Sequence, residues 1–296
     1  MSFSSEVKAE LDKQIGTSRH CRIAEMAAYV ANIAKIQDGN LLFHSENDRL
    51  LKKVFTLLQK TYSISTDAGC GPLVISDPEQ VAYVTESVHY AEMHGGAVSP
   101  LLLKNSCCRR AYLRGCFACI GSMSDPEKNY HLEFYCSEDA QAQQLLEVLG
   151  EFGITARATM RKGHTIVYLK ESEAIAEFLS VAGAVQAMMV LENLRIEKEL
   201  RGDANRRVNC DTANIQKTLN AAERQLEDIR YLQERYGLQR LSEPLRRMAE
   251  VRLEYPEATL KELGEMLDPK VGKSGVNHRL RKLSEIAEEH RTKNGD

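Results

Sequence analysis

Three groups of residues in this 296-residue chain have the types and spacing to do chemistry. Within Leu113–Gly121, LRGCFACIG, Cys116 and Cys119 stand in CxxC spacing, and Cys107-Cys108 lies about two helical turns upstream. Thiolates so placed can bind zinc or exchange disulfides. Asp38 and Asp125 could offer hard oxygen ligands to a divalent cation. Toward the C-terminal end, Gly272–Lys282 holds Lys273, Arg279, Arg281 and Lys282 without an acid, interleaved with Ser274, Asn277 and His278. Asn and Arg can pair bidentately with adenine and guanine edges, while Lys and helix N-terminal amides grip phosphate.

The first two groups also have ordinary explanations. The CxxC sits inside an apolar run, AYLRGCFACI, with no second CxxC and no His pair at zinc spacing. Free cysteine packs as a small apolar group, so buried thiols are expected, with a cluster of Cys107, Cys108, Cys116 and Cys119 as the alternative. Asp38 precedes Gly and Asp125 precedes Pro, which is routine turn chemistry. No metal and no cofactor are therefore expected. No apolar run approaches the ~20 residues of a membrane span, and MSFSSEVKAEL is not a signal peptide. The expected compartment is the cytoplasm, without membrane contact, and the eight cysteines are expected to be reduced. The net charge of −3 argues against a nucleic-acid-coating surface, but it is uneven. Residues 206–296 carry 18 Lys and Arg against 16 Asp and Glu, whereas residues 1–205 carry 21 against 26.

The elements that must position these groups repeat. LLFHSENDRLLKKVFTLLQKTYSIST (41–66) and LEFYCSEDAQAQQLLEVLGEFGITAR (132–157) share a strand ending in Phe, an acidic helix start, an amphipathic helix and an Ile-containing strand. RIAEMAAYVANIA sits where RRAYLRGCFACIG sits in the second copy, and matched positions such as Met26 and Leu113 lie roughly 90 residues apart. The second copy reads α-β-β-α-β-β-α if a strand forms around Gly121–Asp125. The first copy fits the same order as a helix, DGNLLFHS, a helix, SIST, GPLVIS and PEQVAYVTESV. Ala24, Ala27, Ala28 and Ala31 in one lead helix, and Ala111, Gly115 and Ala118 in the other, predict close helix–helix contact between the copies.

Two such helices, each leading an αββαββα unit, resemble the monomeric LAGLIDADG homing endonucleases. That resemblance implies two sheets forming a saddle over duplex DNA, with the last acid of each helix holding the catalytic metal. Those acid positions are Ile33 and Ile120 here, and neither can ligate Mg²⁺. No catalytic residue is expected. Arg109, Arg110, Arg114, Arg157, Arg161 and Lys162 are candidate phosphate contacts on this scaffold, alongside the reading that they are solvated surface.

After a largely helical linker, Asp211 or Thr212 is expected to cap a helix reaching toward Tyr236. Ser242 and Pro244 open the next helix, TLKELGEML is short and amphipathic, and SGVNHRLRKL opens the last. Leu260, Leu263 and Leu267 should pack on Val276, Leu280 and Leu283, giving a helix-turn-helix whose second helix is the recognition helix. Arg206, Arg207, Asn209, Asn214 and Lys217 offer a second polar surface, suited to clamping the DNA backbone.

MSFSSEVKAEL, CCRRAYLRG, NRRVNCDTANIQKT, QLEDIRYL and SGVNHRLRKL together resemble the WhiA family over essentially the whole chain. The expected fold is α+β: a duplicated αββαββα LAGLIDADG-like domain over 1–190 (copies about 19–95 and 105–183), a linker at 191–205, and an all-α helix-turn-helix domain over 206–296. The resemblance implies a non-catalytic bacterial transcription regulator tied to sporulation, cell division and chromosome segregation. Its partner would be double-stranded DNA at promoter sites, with another transcription regulator as a second candidate, and its location the nucleoid. Two alternatives stay open at this stage: a residual metal-dependent endonuclease using Asp38 and Asp125, and an N-terminal domain that serves as a protein-interaction platform.

Overall fold

The small residues shared by the two copies fall on α2 (Arg19–Ile33) and α5 (Ser106–Ile120) of a computed structural model that describes residues 2–65 and 72–294. Ala24–Val30 and Ala111–Ala118 are buried without a break, as expected for helices at the centre of a domain. Cys21, Ala24, Cys108 and Ala111 form one packed cluster, and a Cβ on Gly115 would lie 2.7 Å from that of Ala28. Each of these contacts joins a residue to its counterpart 87 positions later. The helices are therefore parallel and in register about a pseudo-two-fold axis. Glycine is required at 115 because any side chain there would force the pair apart.

Residues 1–199 form one unit. Each lead helix runs directly into a strand, β1 (Ala34–Gln37) after Ile33 and β4 (Gly121–Met123) after Ile120. The second copy continues as β5 (Leu132–Cys136), α6 (Asp139–Gly150), β6 (Arg157–Arg161), β7 (His164–Leu169) and α7 (Ser172–Ala182), in antiparallel order β4-β5-β7-β6. Its α-β-β-α-β-β-α order is the one read from the sequence. In the first copy β1 turns into β2 (Asn40–Phe43) through Asp38 and Gly39, both at positive φ (51° and 78°), a two-residue hairpin. DGNLLFHS is thus a turn and a strand. After α3 (Asp48–Tyr62) come β3 (Leu73–Ile75) and α4 (Pro78–Ser87), and the sheet order is β1-β2-β3.

The strand expected over SIST does not form at 63–65, and Thr66 lies outside the described residues. Ser63 closes α3 in the left-handed region (φ 58°), and Ile64 N–H donates back to the Leu58 carbonyl while its side chain enters the core. Helix α1 (Phe3–Asp12), which the sequence reading did not assign, buries Val7 and Leu11. Its Glu10 carboxylate accepts the Gln186 and Ala187 amides at 2.8 and 3.0 Å, at the start of α8 (Val185–Tyr231).

Helix α8 is continuous for 47 residues. The expected linker 191–205 is helical throughout, and Asp211 and Thr212 lie in the helix interior instead of capping it. Residues 200–296 form the second unit. There α9 (Glu243–Glu254), α10 (Leu260–Met266) and α11 (Lys273–Asn294) enclose a core that includes Met248, Leu263, Leu267, Val276, Leu280 and Leu283. Thr259 and Glu262 form a reciprocal capping box on α10. Gly264 lets the turn close: its carbonyl accepts from Val271 N–H at 3.0 Å, and a Cβ there would stand 2.0 Å from the Val271 oxygen.

Candidate nucleic-acid interface

The helix-turn-helix presents one open face. Val276, Leu280, Leu283 and Ala287 hold the inner side of α11 in the core. Ser274, Asn277, His278 and Arg281 recur at i, i+3, i+4 and i+7 on the opposite side, and all four are exposed. Lys273 is exposed beside the helix start, where free amides favour an anion. Arg281 lies 3.5 Å and Lys282 3.0 Å from Glu285, pairs among exposed groups that give way readily to phosphate or base. Those lysine and arginine neighbours hold the Glu285 carboxyl below its ordinary value. Arg279, expected as a base reader, is half-buried on the flank, away from the Asn277–Arg281 face.

The second polar surface lies on α8, where every residue from Asp203 to Ala221 is exposed. Arg206 pairs with Asp203, while Arg207 and Asn209 stand in solvent, and Asn214 bonds Cys210 Sγ within the helix. Lys217 joins Asn220, Arg224, Asn277, Arg281 and Ser284 in a single groove between α8 and α11. The structure thus brings Lys217 to α11, the expected recognition helix, and leaves Arg206, Arg207 and Asn209 further along α8. Asn220, Arg224 and Ser284 were missed, because nothing in their own sequence neighbourhood marks them.

At the lead helices, Ile33 and Ile120 pack partly buried on the core where the resemblance would place metal-binding acids. Asp125 accepts the Glu127 amide at 3.0 Å, and Asp38 occupies the hairpin turn. Both serve turns, and neither belongs to a group of potential metal ligands among the described residues. The Cys107, Cys108, Cys116 and Cys119 cluster is not formed. Cys116 is fully buried, and burial pushes its thiol well up and that of Cys119 to about 12.

Of the basic residues on this unit, Arg114 corrects the sequence reading. It is buried, 3.1 Å from Glu25, and also donates to the Ala182 carbonyl, so it cannot reach phosphate. Lys53 approaches the same carboxylate at 3.3 Å, an ion-pair contact without hydrogen-bond alignment, and donates to the carbonyls of Leu11, Asp12 and Gln14. Burial lowers the Lys53 ammonium from its ordinary value, partly offset by Glu25. Glu25 and Lys53 were missed; the one signal was an acid inside the Ala-rich run AEMAAYV. Arg109 pairs with Glu151 at 3.0 Å, and Arg110 lies over the Phe152 ring. Arg157, Arg161 and Lys162 remain exposed at the β6–β7 hairpin, the two arginines on one face of the edge strand.

Fold and site together define a protein that joins a degenerate LAGLIDADG-like domain to a helix-turn-helix domain of the DNA-binding kind. Residues 109–201 match the WhiA LAGLIDADG-like domain and residues 204–287 the WhiA C-terminal HTH domain. Relatives named probable cell division protein WhiA are 42% identical in Lachnoclostridium phytofermentans (97% of this chain, 99% of the relative) and 44% identical in Heliobacterium modesticaldum (97% and 96%). The crystal structure of full-length DUF199/WhiA from Thermatoga maritima aligns with a TM-score of 0.59 and 26% identity, covering 98% of this chain and 99% of that one. The chain belongs to the WhiA family. No described helix is long and apolar enough to cross a membrane.

Proposed function

We propose that this chain is a non-catalytic, sequence-specific transcription regulator that binds promoter sites in double-stranded DNA. It acts in the cytoplasm at the nucleoid, in cell division and chromosome segregation, and in sporulation where that programme exists. The observation that carries the reading is the exposed Ser274-Asn277-His278-Arg281 face of α11, flanked by Lys273 and by Lys217 across the α8 groove. The name of the relatives supports the cell-division part. Isoleucine at both acid positions supports binding without cleavage. Arg157, Arg161 and Lys162 add phosphate contacts from the first unit, a role that Arg114 cannot share.

The test is a titration of the full chain against DNA fragments enriched by genome-wide mapping. Asn277→Ala and Arg281→Ala should each weaken specific binding by about 1–3 kcal/mol, or roughly 5- to 150-fold, while sparing nonspecific affinity. Arg157→Ala with Arg161→Ala should instead flatten the salt dependence by about one unit for each phosphate lost. Unchanged affinity in the α11 variants would refute the interface. Mg²⁺- or Mn²⁺-dependent strand cleavage would refute the non-catalytic reading.

A further inference from the structure

The N-terminal ends of α2 and α5 bring together four residues that no sequence spacing connects. His20 and Cys21 come from the first copy and Cys107 and Cys108 from the second, 87 positions away in each case. Their ligand atoms all lie within 4.8 Å of one another. His20 Nδ1 is 3.1 Å from Cys108 Sγ, 3.5 Å from Cys21 Sγ and 4.0 Å from Cys107 Sγ. A tetrahedral zinc ion with Zn–S near 2.3 Å and Zn–N near 2.0 Å separates its ligand atoms by about 3.5–3.8 Å, so the cluster is already close to that shape.

Two further features fit an anionic centre here. The N-cap residues of both helices, Ser18 and Asn105, make no side-chain cap hydrogen bond, so the first-turn amides of both helices face the cluster end without that support. Three thiolates, one neutral imidazole and a dication sum to −1, the sign that two helix N-termini stabilise. Cys21 and Cys108 are buried while His20 and Cys107 are exposed, which gives the ion an entry path. No carboxylate belongs to the group, so a thiophilic ion is selected over Mg²⁺ or Ca²⁺.

We propose that His20, Cys21, Cys107 and Cys108 form a structural zinc site that clamps the two copies together at the open end of the α2–α5 seam. Binding forms three Zn–S bonds and one Zn–N bond and releases the three thiol protons to solvent; no redox step is involved. All four coordination positions come from protein, so the ion is a fastener without an open position for chemistry.

The full chain, stripped with chelator under reducing conditions, is titrated with Co²⁺ and then with Zn²⁺. One Co²⁺ per chain with a thiolate charge-transfer band and intense tetrahedral absorption, bleached by Zn²⁺, supports the site. Zinc at about a hundred times its dissociation constant should also raise the melting temperature by roughly 5–10 °C. Cys107→Ser and Cys108→Ser should abolish the charge-transfer band, and Cys119→Ser should keep it. The exposed Cys107 position leaves the core untouched, so a folded variant is available. A weak octahedral Co²⁺ spectrum in the wild type, or a band that survives Cys107→Ser and Cys108→Ser, would overturn the proposal. So would a Cys21–Cys108 disulfide in protein isolated without reductant, if the reduced chain takes up no cobalt.

Discussion

Replacing Glu25 with Gln keeps the shape of a buried side chain and removes the charge that Arg114 and Lys53 share. Removing one partner of a buried ion pair costs about 3–5 kcal/mol, because the other charge stays in a low-dielectric interior. The two cations do not suffer equally. Lys53 retains carbonyl partners at Leu11 and Asp12, each 3.1 Å away, and can shed its proton. Arg114 cannot deprotonate, keeps the Ala182 carbonyl as a partner, and has its Nε buried without one. Most of the loss falls on Arg114, for a net of about 3 kcal/mol. At about 2–4 °C per kcal/mol for a unit of this size, the melting transition of the first unit should drop by roughly 6–12 °C in calorimetry of the full chain. Lys53 has a lowered pKa in the fold, so the unfolded chain binds more protons in that window and stability rises with pH. Glu25 raises that pKa in the wild type, so its loss lowers it further; the variant then gains more stability than the wild type as pH rises toward the unfolded value near 10.4, and the defect should shrink. A Glu25→Gln chain within 1 kcal/mol of wild type, or a defect that grows on going alkaline, would refute this account of the cluster. Replacing Glu25, Lys53 and Arg114 together with Met should restore much of the lost stability.

Two other outcomes follow from close contacts and from burial. Gly264→Ala places a Cβ against the Val271 carbonyl oxygen and should destabilise the helix-turn-helix by at least about 1–3 kcal/mol, read as a lower denaturation midpoint of the second unit together with lost DNA binding. In alkylation at pH 8, the exposed Cys210 should react in minutes. The buried Cys136 and the half-buried Cys119, with thiols pushed up to about 11 and about 12, should resist until denaturant is added, and labelling as fast as that of Cys210 by mass spectrometry would contradict that protection.

What was legible in the sequence was local or periodic. The helix-turn-helix shows itself in Pro244 at a helix start, in the short amphipathic TLKELGEML, and in apolar residues spaced for one face. The duplication shows because matched residues and the same order of elements recur roughly 90 positions apart. What was not legible depends on partners distant in the chain. Arg114 looks like a surface cation until Glu25, 89 residues earlier, is placed beside it. Lys53 reads as part of a polar helix face until three carbonyls from the end of α1 and the turn after it converge on it. Asp211-Thr212 suggested a helix start because cap formers favour caps, yet in an exposed helix they cost only a few tenths of a kcal/mol and do not break it. His20 carries no signal at all until Cys107 and Cys108 come alongside.

The parallel, in-register packing of α2 and α5 also sets two like poles side by side at each end of the seam. With about half a unit charge at each helix terminus, some 8–10 Å apart at an effective dielectric near 20, the repulsion is only about 0.4–0.5 kcal/mol per end, and side-chain packing easily overcomes it. Its direction persists all the same. The end bearing Cys21 and Cys108 is a positive pole that draws anions, and the end at Ile33 and Ile120 is a negative pole that draws cations. A metal-using scaffold would exploit that second pole, whereas here isoleucine covers it with hydrocarbon. The built-in field of the helix pair therefore outlasts the acids it could have served and keeps the two ends of the seam chemically unlike.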